Sequence, residues 1–354
     1  MMPKYEVIHQ TLLRQIESGA LRTDEKLPAE EELALEYGVS LITVRRAMSE
    51  LANDGVIRRV RGKGSYVKPK PLPPRETGGE KVIAFLLNHD NNAAVSITRI
   101  ITGVQDVLSR SGYRLLVEWN VVSGPIEHKA IDRMLSNRVD GFIIYPFDPD
   151  ADVSSYEYIE KTGLPYVVLD RYPHGHNCAY VGSDNISGGR EAGEALIRYG
   201  HRNIAMLMNL RFLSSEQERA AGFQLAAREA GPGIKAMLIE SKRRDELPML
   251  LSENGITGLF CVSDRIAART IQLLTIKGLR VPEDISVIGF DDCYYDSSVN
   301  LPFSSVRQDF RMIGCAAAER LLGLITGVNL CPKAKLVLPV ELIERSTSLC
   351  TPKA

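Results

Sequence analysis

KLPAEEELALEYGVSLITVRRAMSELANDGVIRRVRGKGSYV, residues 26–67, holds two helices and a hairpin in one unbroken run. Pro28 precedes Glu30, Glu31 and Glu32, which sit where a helix dipole favours anions. Leu33 and Leu35 follow, and Gly38 ends that helix. Ser40 is a good N-cap for the next, which runs to about Asn53 with Val44, Ala47, Met48 and Leu51 as its apolar stripe. Asp54-Gly55 breaks it, and residues 56–60 and 65–67 then read as two short strands joined across RGKG. Upstream, Val7, Ile8, Leu12, Leu13 and Ile16 recur at helical spacing from Tyr5 to about Ser18. Three helices with a short turn at 37–39 and a closing hairpin predict an α+β winged helix-turn-helix.

The charges fit that reading. Residues 1–39 hold four Lys and Arg against eight Asp and Glu, whereas residues 40–70 hold eight against two, a local +6 in a chain of net charge −1. A polyanion responds to that concentration more than to the overall balance. The third helix would enter a major groove by its amino-terminal end, where Ser40 and Thr43 offer hydroxyls and the helix offers free N–H groups. Arg45 and Arg46 lie one turn further in, with forks suited to guanine edges or phosphate. In the wing, Gly62 and Gly64 allow close backbone approach, and Arg61 and Lys63 bring charge to phosphate or the minor groove. Taken one at a time, Ser40 reads equally as a helix cap and Arg45 as a surface residue; the combination is what points to double-stranded DNA.

From Lys68 to Glu80 the composition changes to KPKPLPPRETGGE, a semi-stiff linker. Beyond it, apolar runs at 82–87, 113–119, 141–145, 166–170, 203–208, 258–262 and 285–290 alternate with helical periodicity at 98–110, 126–136, 186–199, 216–230, 264–277 and 310–325. Continuous Val- and Ile-rich strands between helices argue for parallel sheets covered on both faces, and the length calls for two doubly wound subdomains. The expected division is 1–68 as DNA-binding head, 69–80 as linker, and 81–347 as body, with subdomains 81–172 plus 308–330 and 173–302 plus 331–347.

Several classes are excluded. The 354 residues are 25% charged and 44% hydrophobic, ordinary for a globular protein. No apolar run approaches a membrane span, MMPKYEVIHQ lacks the pattern of a secretory signal, and the six cysteines form no CxxC pair, so a cytoplasmic protein is expected. The body contains no GxGxxG after a strand, P-loop, HExxH or GxSxG elbow, and the histidines lack metal-like pairing, so neither cofactor, metal nor catalytic residue is assigned. His174 and His176 read as structural or solvent-exposed. Polar residues do follow the strand ends, where ligands sit in such sheets. These are His89 and Asp90, Tyr145 and Asp148, Asp170 and Arg171, Phe212, Ser263 and Asp264, and Asp291. Carboxylates and Arg forks bind vicinal hydroxyls, and an aromatic face covers a sugar ring. The competing reading makes Asp264 a helix cap and Asp291 or Arg171 a loop salt bridge.

Two resemblances add to this. The elements LPxExxLA, S-x-x-T-V-R and G-x-G-[ST]-[FY]-V within residues 26–67 resemble the head of GntR-type regulators, over essentially residues 3–67. By that resemblance Lys4, Thr43, Arg45, Arg46, Gly62 and Lys63 fall on DNA-contacting positions. Leu41, followed by Ile42, stands where many members carry Arg; an apolar pair can contact thymine methyls but cannot read guanine. GHRNIAMLMN (200–209), ERAAGF (218–223), FCVSDRIA (260–267) and VPEDISVIGFDD (281–292) resemble the effector domain of the LacI/GalR family across about 81–347. That implies two lobes hinged around a cleft, with Arg219, Ser263, Asp264 and Asp291 at ligand positions and Asp148 and Gln308 as further ones. Ser263 replaces the Asn common there. The combined architecture resembles the arabinose-repressor family and implies a homodimeric repressor on a palindromic operator, controlled by a sugar such as L-arabinose. The proline linker replaces the DNA-bending hinge helix of ordinary LacI relatives. The alternatives are a nucleobase or other small metabolite as effector, and an α/β enzyme tethered to a DNA-binding head.

Overall fold

Ile8 and Leu12 lie one helical turn apart, and Val44, Ala47, Met48 and Leu51 follow the 3-4-7 spacing that places them on one face. All six are buried, with Leu27, Leu33, Ile57 and Val67, in the core of the head. The computed structural model describes residues 3–17, 21, 25–54, 56–60, 64–67, 79–88, 94–120, 125–209, 213–293, 302–328 and 333–348. Its two compact units are Met1–Gly79 with Glu160–Gly163, and Glu80–Ile159 with Leu164–Ala354. The head consists of α1 (Lys4–Glu17), α2 (Glu30–Glu36), α3 (Leu41–Asn53), β1 (Ile57–Val60) and β2 (Gly64–Val67). Ser40 caps α3 by accepting the Thr43 N–H, and Gly38, at φ +57°, makes the left-handed turn between α2 and α3. β1 and β2 pair antiparallel with Ile57 opposite Val67. Val7 and Leu35, counted with the apolar stripes in the sequence, face solvent, Leu35 at 85% exposure. Leu35 stands two residues from buried Leu33, on another side of the helix.

The body is two lobes, each a six-stranded sheet between helices. In the first, β3 (Lys81–Asn88), α4 (Ala94–Arg110), β4 (Tyr113–Asn120), α5 (His128–Ser136), β5 (Gly141–Tyr145), α6 (Val153–Thr162), β6 (Tyr166–Leu169) and β7 (Ala179–Ser183) follow in order. The second holds α7 (Asn185–Arg198), β8 (Asn203–Met208), α8 (Ser214–Glu229), β9 (Lys235–Glu240), α9 (Leu247–Glu253), β10 (Gly258–Cys261), α10 (Asp264–Ile276), β11 (Ser286–Asp291) and β12 (Ser304–Arg307). The chain then returns to the first lobe with α11 (Phe310–Thr326) and β13 (Lys335–Leu338), and crosses back for β14 (Glu341–Ile343). Strand orders are β13-β7-β6-β5-β3-β4 and β14-β12-β11-β10-β8-β9. All neighbours are parallel except β12 and β14.

This topology corrects the subdomain limits expected from sequence. Residues 179–183 and 335–338 do not belong to the second lobe: β7 pairs with β6, and β13 with β7, in the first sheet. β13 is the edge strand of that sheet and β7 its neighbour, both beside the points where the chain changes lobes. Three short passages therefore connect the lobes, after Ser183, Arg307 and Leu338, and the Asp184 N–H donates to Leu338 O at 2.8 Å to tie two of them together. Most of the linker expected at 69–80 lies outside the described residues.

Close helix packing fixes each lobe. A Cβ on Gly189 of α7 would lie 2.0 Å from Arg219 O of α8, and one on Gly222 would lie 2.0 Å from Ile186 O. Only glycine permits that approach, and it holds α8 with its Arg219 against α7.

Candidate effector cleft and DNA-binding head

Arg219 is 5% exposed, too buried to act as a solvated charge. Its Nε donates to Asn185 Oδ1 at 2.9 Å and its Nη1 to Val262 O at 2.6 Å. The guanidinium lies over the Phe290 ring, 3.6 Å from its centroid, and Nη1 is 3.9 Å from Asp291 Oδ1. Asp291 closes β11 at φ +117°, a left-handed conformation that a non-glycine residue adopts only where its surroundings enforce it. Its Oδ1 accepts from Gln308 Nε2 at 2.6 Å. Gln308 Oε1 is buried with no hydrogen-bond partner among the described residues. Burial raises the Asp291 carboxyl to about 6; Arg219 opposes the rise, Asp170 adds to it, and Gln308 and Arg171 oppose it again.

The first lobe answers with a second ionic group. Asp170, also left-handed at φ +64°, accepts from Tyr145 Oη at 3.3 Å and from Arg171 Nε at 3.2 Å. Arg171 Nη1 reaches Phe147 O at 3.1 Å. Burial works against the Arg171 charge, and the adjoining Asp170 carboxylate outweighs it and holds the guanidinium ionised. Buried Tyr145 is pushed well above the usual phenol range by desolvation and then by Asp170, so it stays a neutral donor. Two Asp–Arg pairs, one per lobe, thus feel one another's charge across the cleft; Asp170, Arg171 and Asp291 stand at strand ends and Arg219 on α8. Direct hydrogen bonds also cross it. Tyr172 Oη donates to Glu218 Oε1 at 2.7 Å and Tyr172 N to Ser214 Oγ at 2.9 Å, while His174 Nε2 lies 3.2 Å from Gln217 Oε1.

Other sequence candidates land elsewhere. Asp264 is 2% exposed and is engaged within the protein, accepting from Ser305 Oγ at 2.5 Å and from Cys293 N at 3.0 Å. Ser263 caps α10 through the Ile266 N–H. Asp148 is half-buried and accepts the Ala151 N–H at 3.4 Å. His89, Asp90 and Phe212 lie outside the described residues. His176 meets Tyr166 Oη at 3.0 Å, and His174 Nδ1 meets Asp150 Oδ2 at 2.8 Å. Sequence reasoning missed Glu216, buried in α8, which takes both the N–H and the Nδ2 of Asn209, at 3.2 and 2.7 Å. Burial raises its carboxyl, against Asn209, Arg171 and Arg219. Its signal was the three-residue spacing to Arg219, one helical face for two opposite charges.

In the head, Ser40 Oγ and Thr43 Oγ1 are 2.9 Å apart at the start of α3, and Ile42 beside Leu41 is 78% exposed. Lys4 is exposed in the first turn of α1. Arg45 Nε donates to Glu30 Oε2 at 3.0 Å, and Arg59 shares the same carboxylate while its Nη1 reaches Ser49 Oγ at 3.2 Å. Arg46 stacks on Tyr5, 3.8 Å from the ring centroid. Exposed pairs like these contribute about 0–1 kcal/mol each, so phosphate can replace the carboxylate at little loss. Arg61, Gly62 and Lys63 lie outside the described residues.

A winged helix followed in the chain by two hinged α/β lobes around a polar cleft defines a ligand-responsive DNA-binding regulator. Residues 4–67 match the family model of bacterial regulatory proteins, gntR family, and residues 194–348 that of the periplasmic binding protein-like domain. The chain is 27% identical to the arabinose metabolism transcriptional repressor of Geobacillus stearothermophilus, over 98% of each chain. It is 30% identical to the HTH-type transcriptional repressor PurR of Vibrio atlanticus (strain LGP32), over 75% of this chain and 81% of that one. Among solved structures, the transcriptional regulator CelR–cellobiose complex matches at a TM-score of 0.66 and 25% identity, covering 91% of this chain and 100% of that one. The chain belongs to the HTH-type transcriptional repressors, with a gntR-family head and a periplasmic binding protein-like effector domain. These relatives are transcriptional regulators, not enzymes.

Proposed function

We propose that this protein is a cytoplasmic repressor of sugar-utilisation genes whose operator binding is set by a neutral sugar of the arabinose type. Residues 1–68 serve as the DNA-binding head, and 81–347 as the effector-binding and dimerisation body. The observation that carries the reading is the cleft itself. Arg219 and Asp291 from one lobe face Asp170 and Arg171 from the other, and beside them Gln308 Oε1 is an acceptor with no partner among the described residues. Carboxylates accept, and guanidinium forks donate to, the paired hydroxyls of a polyol. The cellobiose complex of CelR and the arabinose repressor are the similar proteins that favour a sugar.

One winged helix reads too few base pairs for genomic specificity, so paired heads of a homodimer would read a palindrome. A sugar that draws the lobes together through three short passages changes how the two heads are presented. A coupling of about 1–3 kcal/mol changes operator affinity about 5- to 150-fold. The test is operator binding by fluorescence anisotropy, titrated with L-arabinose and a panel of other sugars, for wild type and Arg219→Ala. The reading requires one sugar to shift the wild-type curve and leave the variant unmoved. No shift with any sugar, or an undiminished shift in the variant, refutes it.

A further inference from the structure

A cavity of about 280 Å³ opens at the carboxyl ends of β8 and β9, where α10 begins. Asn209, Ser241, Lys242, Asp245, Arg265 and Arg269 contribute its polar lining. Three of these are cationic and one is anionic; counting Glu240, paired with Lys242, the surplus is one positive charge. Arg265 and Arg269 are four residues apart on α10 and both line the same space. The Lys242 ammonium is already paired with Glu240. Arg269 is exposed and has no ion-pair or hydrogen-bond partner among the described residues. Its volume is at the small end of ligand pockets, with room for a polyatomic anion or for one appendage of a larger ligand.

The cavity adjoins the effector cleft through a specific residue. Asn209 lines it and is held by Glu216, whose carboxyl feels the charges of both Arg171 and Arg219. We propose that this cavity is an anion subsite that takes a phosphate group, gripped by Arg269 and Arg265 with Lys242 as a supporting point charge. Planar guanidinium forks match tetrahedral oxyanions, and a charge-assisted pair is about twice as strong as a neutral hydrogen bond. The phosphate has two sources: the phosphoryl group of a phosphorylated sugar whose ring occupies the cleft, or free phosphate bound beside a neutral sugar. Both place a sugar in the cleft and so rest on the reading given above; the first replaces the neutral sugar by a phosphorylated one, and the second keeps it.

The experiment is isothermal titration of the full-length chain with inorganic phosphate, with pentose and hexose phosphates, and with L-arabinose. It uses wild type, Arg269→Gln and the Lys242→Gln/Arg269→Gln double variant. Phosphate-bearing probes should bind wild type in a salt-sensitive manner and lose about tenfold in affinity with Arg269→Gln. L-arabinose binding should be the same in all three proteins. Inorganic phosphate binding alongside arabinose identifies free phosphate as the source; a sugar phosphate that competes with arabinose identifies the phosphoryl group. The proposal is overturned if no phosphate-bearing probe binds, or if the variants bind them as tightly as wild type. Loss of arabinose binding in wild type, with Arg269-dependent phosphate binding retained, would sink the neutral-sugar reading and leave the subsite standing.

Discussion

Asp291→Asn should make the protein more stable and less responsive at once. Burial pushes the Asp291 carboxyl up to about 6 from 3.8, even with Arg219 close by. At about 1.36 kcal/mol per unit, the ionised form costs the fold up to about 3 kcal/mol at neutral pH. The side chain keeps 21% of its surface in water, which takes the working figure down to about 1.5 kcal/mol. At about 2–4 °C per kcal/mol for a body of this size, the variant should melt about 3–6 °C higher. The sign follows from linkage. Because the folded-state value lies above the unfolded one, wild type escapes the penalty below about pH 4 and bears all of it above about pH 6. The gap between variant and wild type should therefore be larger near pH 7.5 than near pH 5, measured by thermal denaturation without ligand. Asparagine keeps the acceptor for Gln308 but loses the charge, so the sugar should bind at least about tenfold more weakly. In wild type, effector affinity should fall as pH drops through about 6, because the protonated carboxyl accepts less well. A lower melting temperature for the variant at neutral pH would mean that attraction to Arg219 outweighs burial, and would refute the reasoning.

The head, the helix crossing and the interlobe contacts yield three more expectations. Glu30→Gln frees Arg45 and Arg59 from their shared carboxylate, so non-specific DNA affinity should rise several-fold and the salt dependence steepen in a gel-shift series. Gly189→Ala forces α7 and α8 apart at a 2.0 Å contact and should destabilise the body by about 1–3 kcal/mol or more in urea unfolding, with Ile186→Ala, exposed on the same helix, as the mild control. Tyr172→Phe removes the 2.7 Å bond to Glu218 that joins the lobes; effector affinity should weaken about 2- to 10-fold by calorimetry, with head-dependent DNA binding in the absence of sugar unchanged.

Local chemistry was enough for the head. The Ser40 cap, the α3 stripe and the antiparallel register of Ile57 against Val67 follow from spacing and propensity within 42 consecutive residues, 26–67. The continuous apolar runs marked β3, β5, β8, β10 and β11 for the same reason, since strands buried on both faces carry little else. β9, β13 and β14 escaped notice because they are edge strands with exposed residues such as Lys235, Leu238, Val337 and Glu341, and β7 and β12 carry glycine or serine among their apolar residues. Short strands beside the lobe crossings have no intrinsic allegiance; β7 and β13 join the first sheet because their partners are there.

The sequence by itself determined that a cationic winged helix precedes an alternating α/β body, because hydrophobic period, capping and charge are local properties. Only the tertiary structure decided which strand-end carboxylate faces the cleft. Asp264 and Asp291 stand in equivalent sequence settings. Yet Ser305 Oγ and the Cys293 N–H occupy the oxygens of Asp264, while a left-handed backbone turns Asp291 toward Arg219 and Gln308. The pairing partners come from segments tens of residues away, and no local pattern encodes which aspartate they will satisfy.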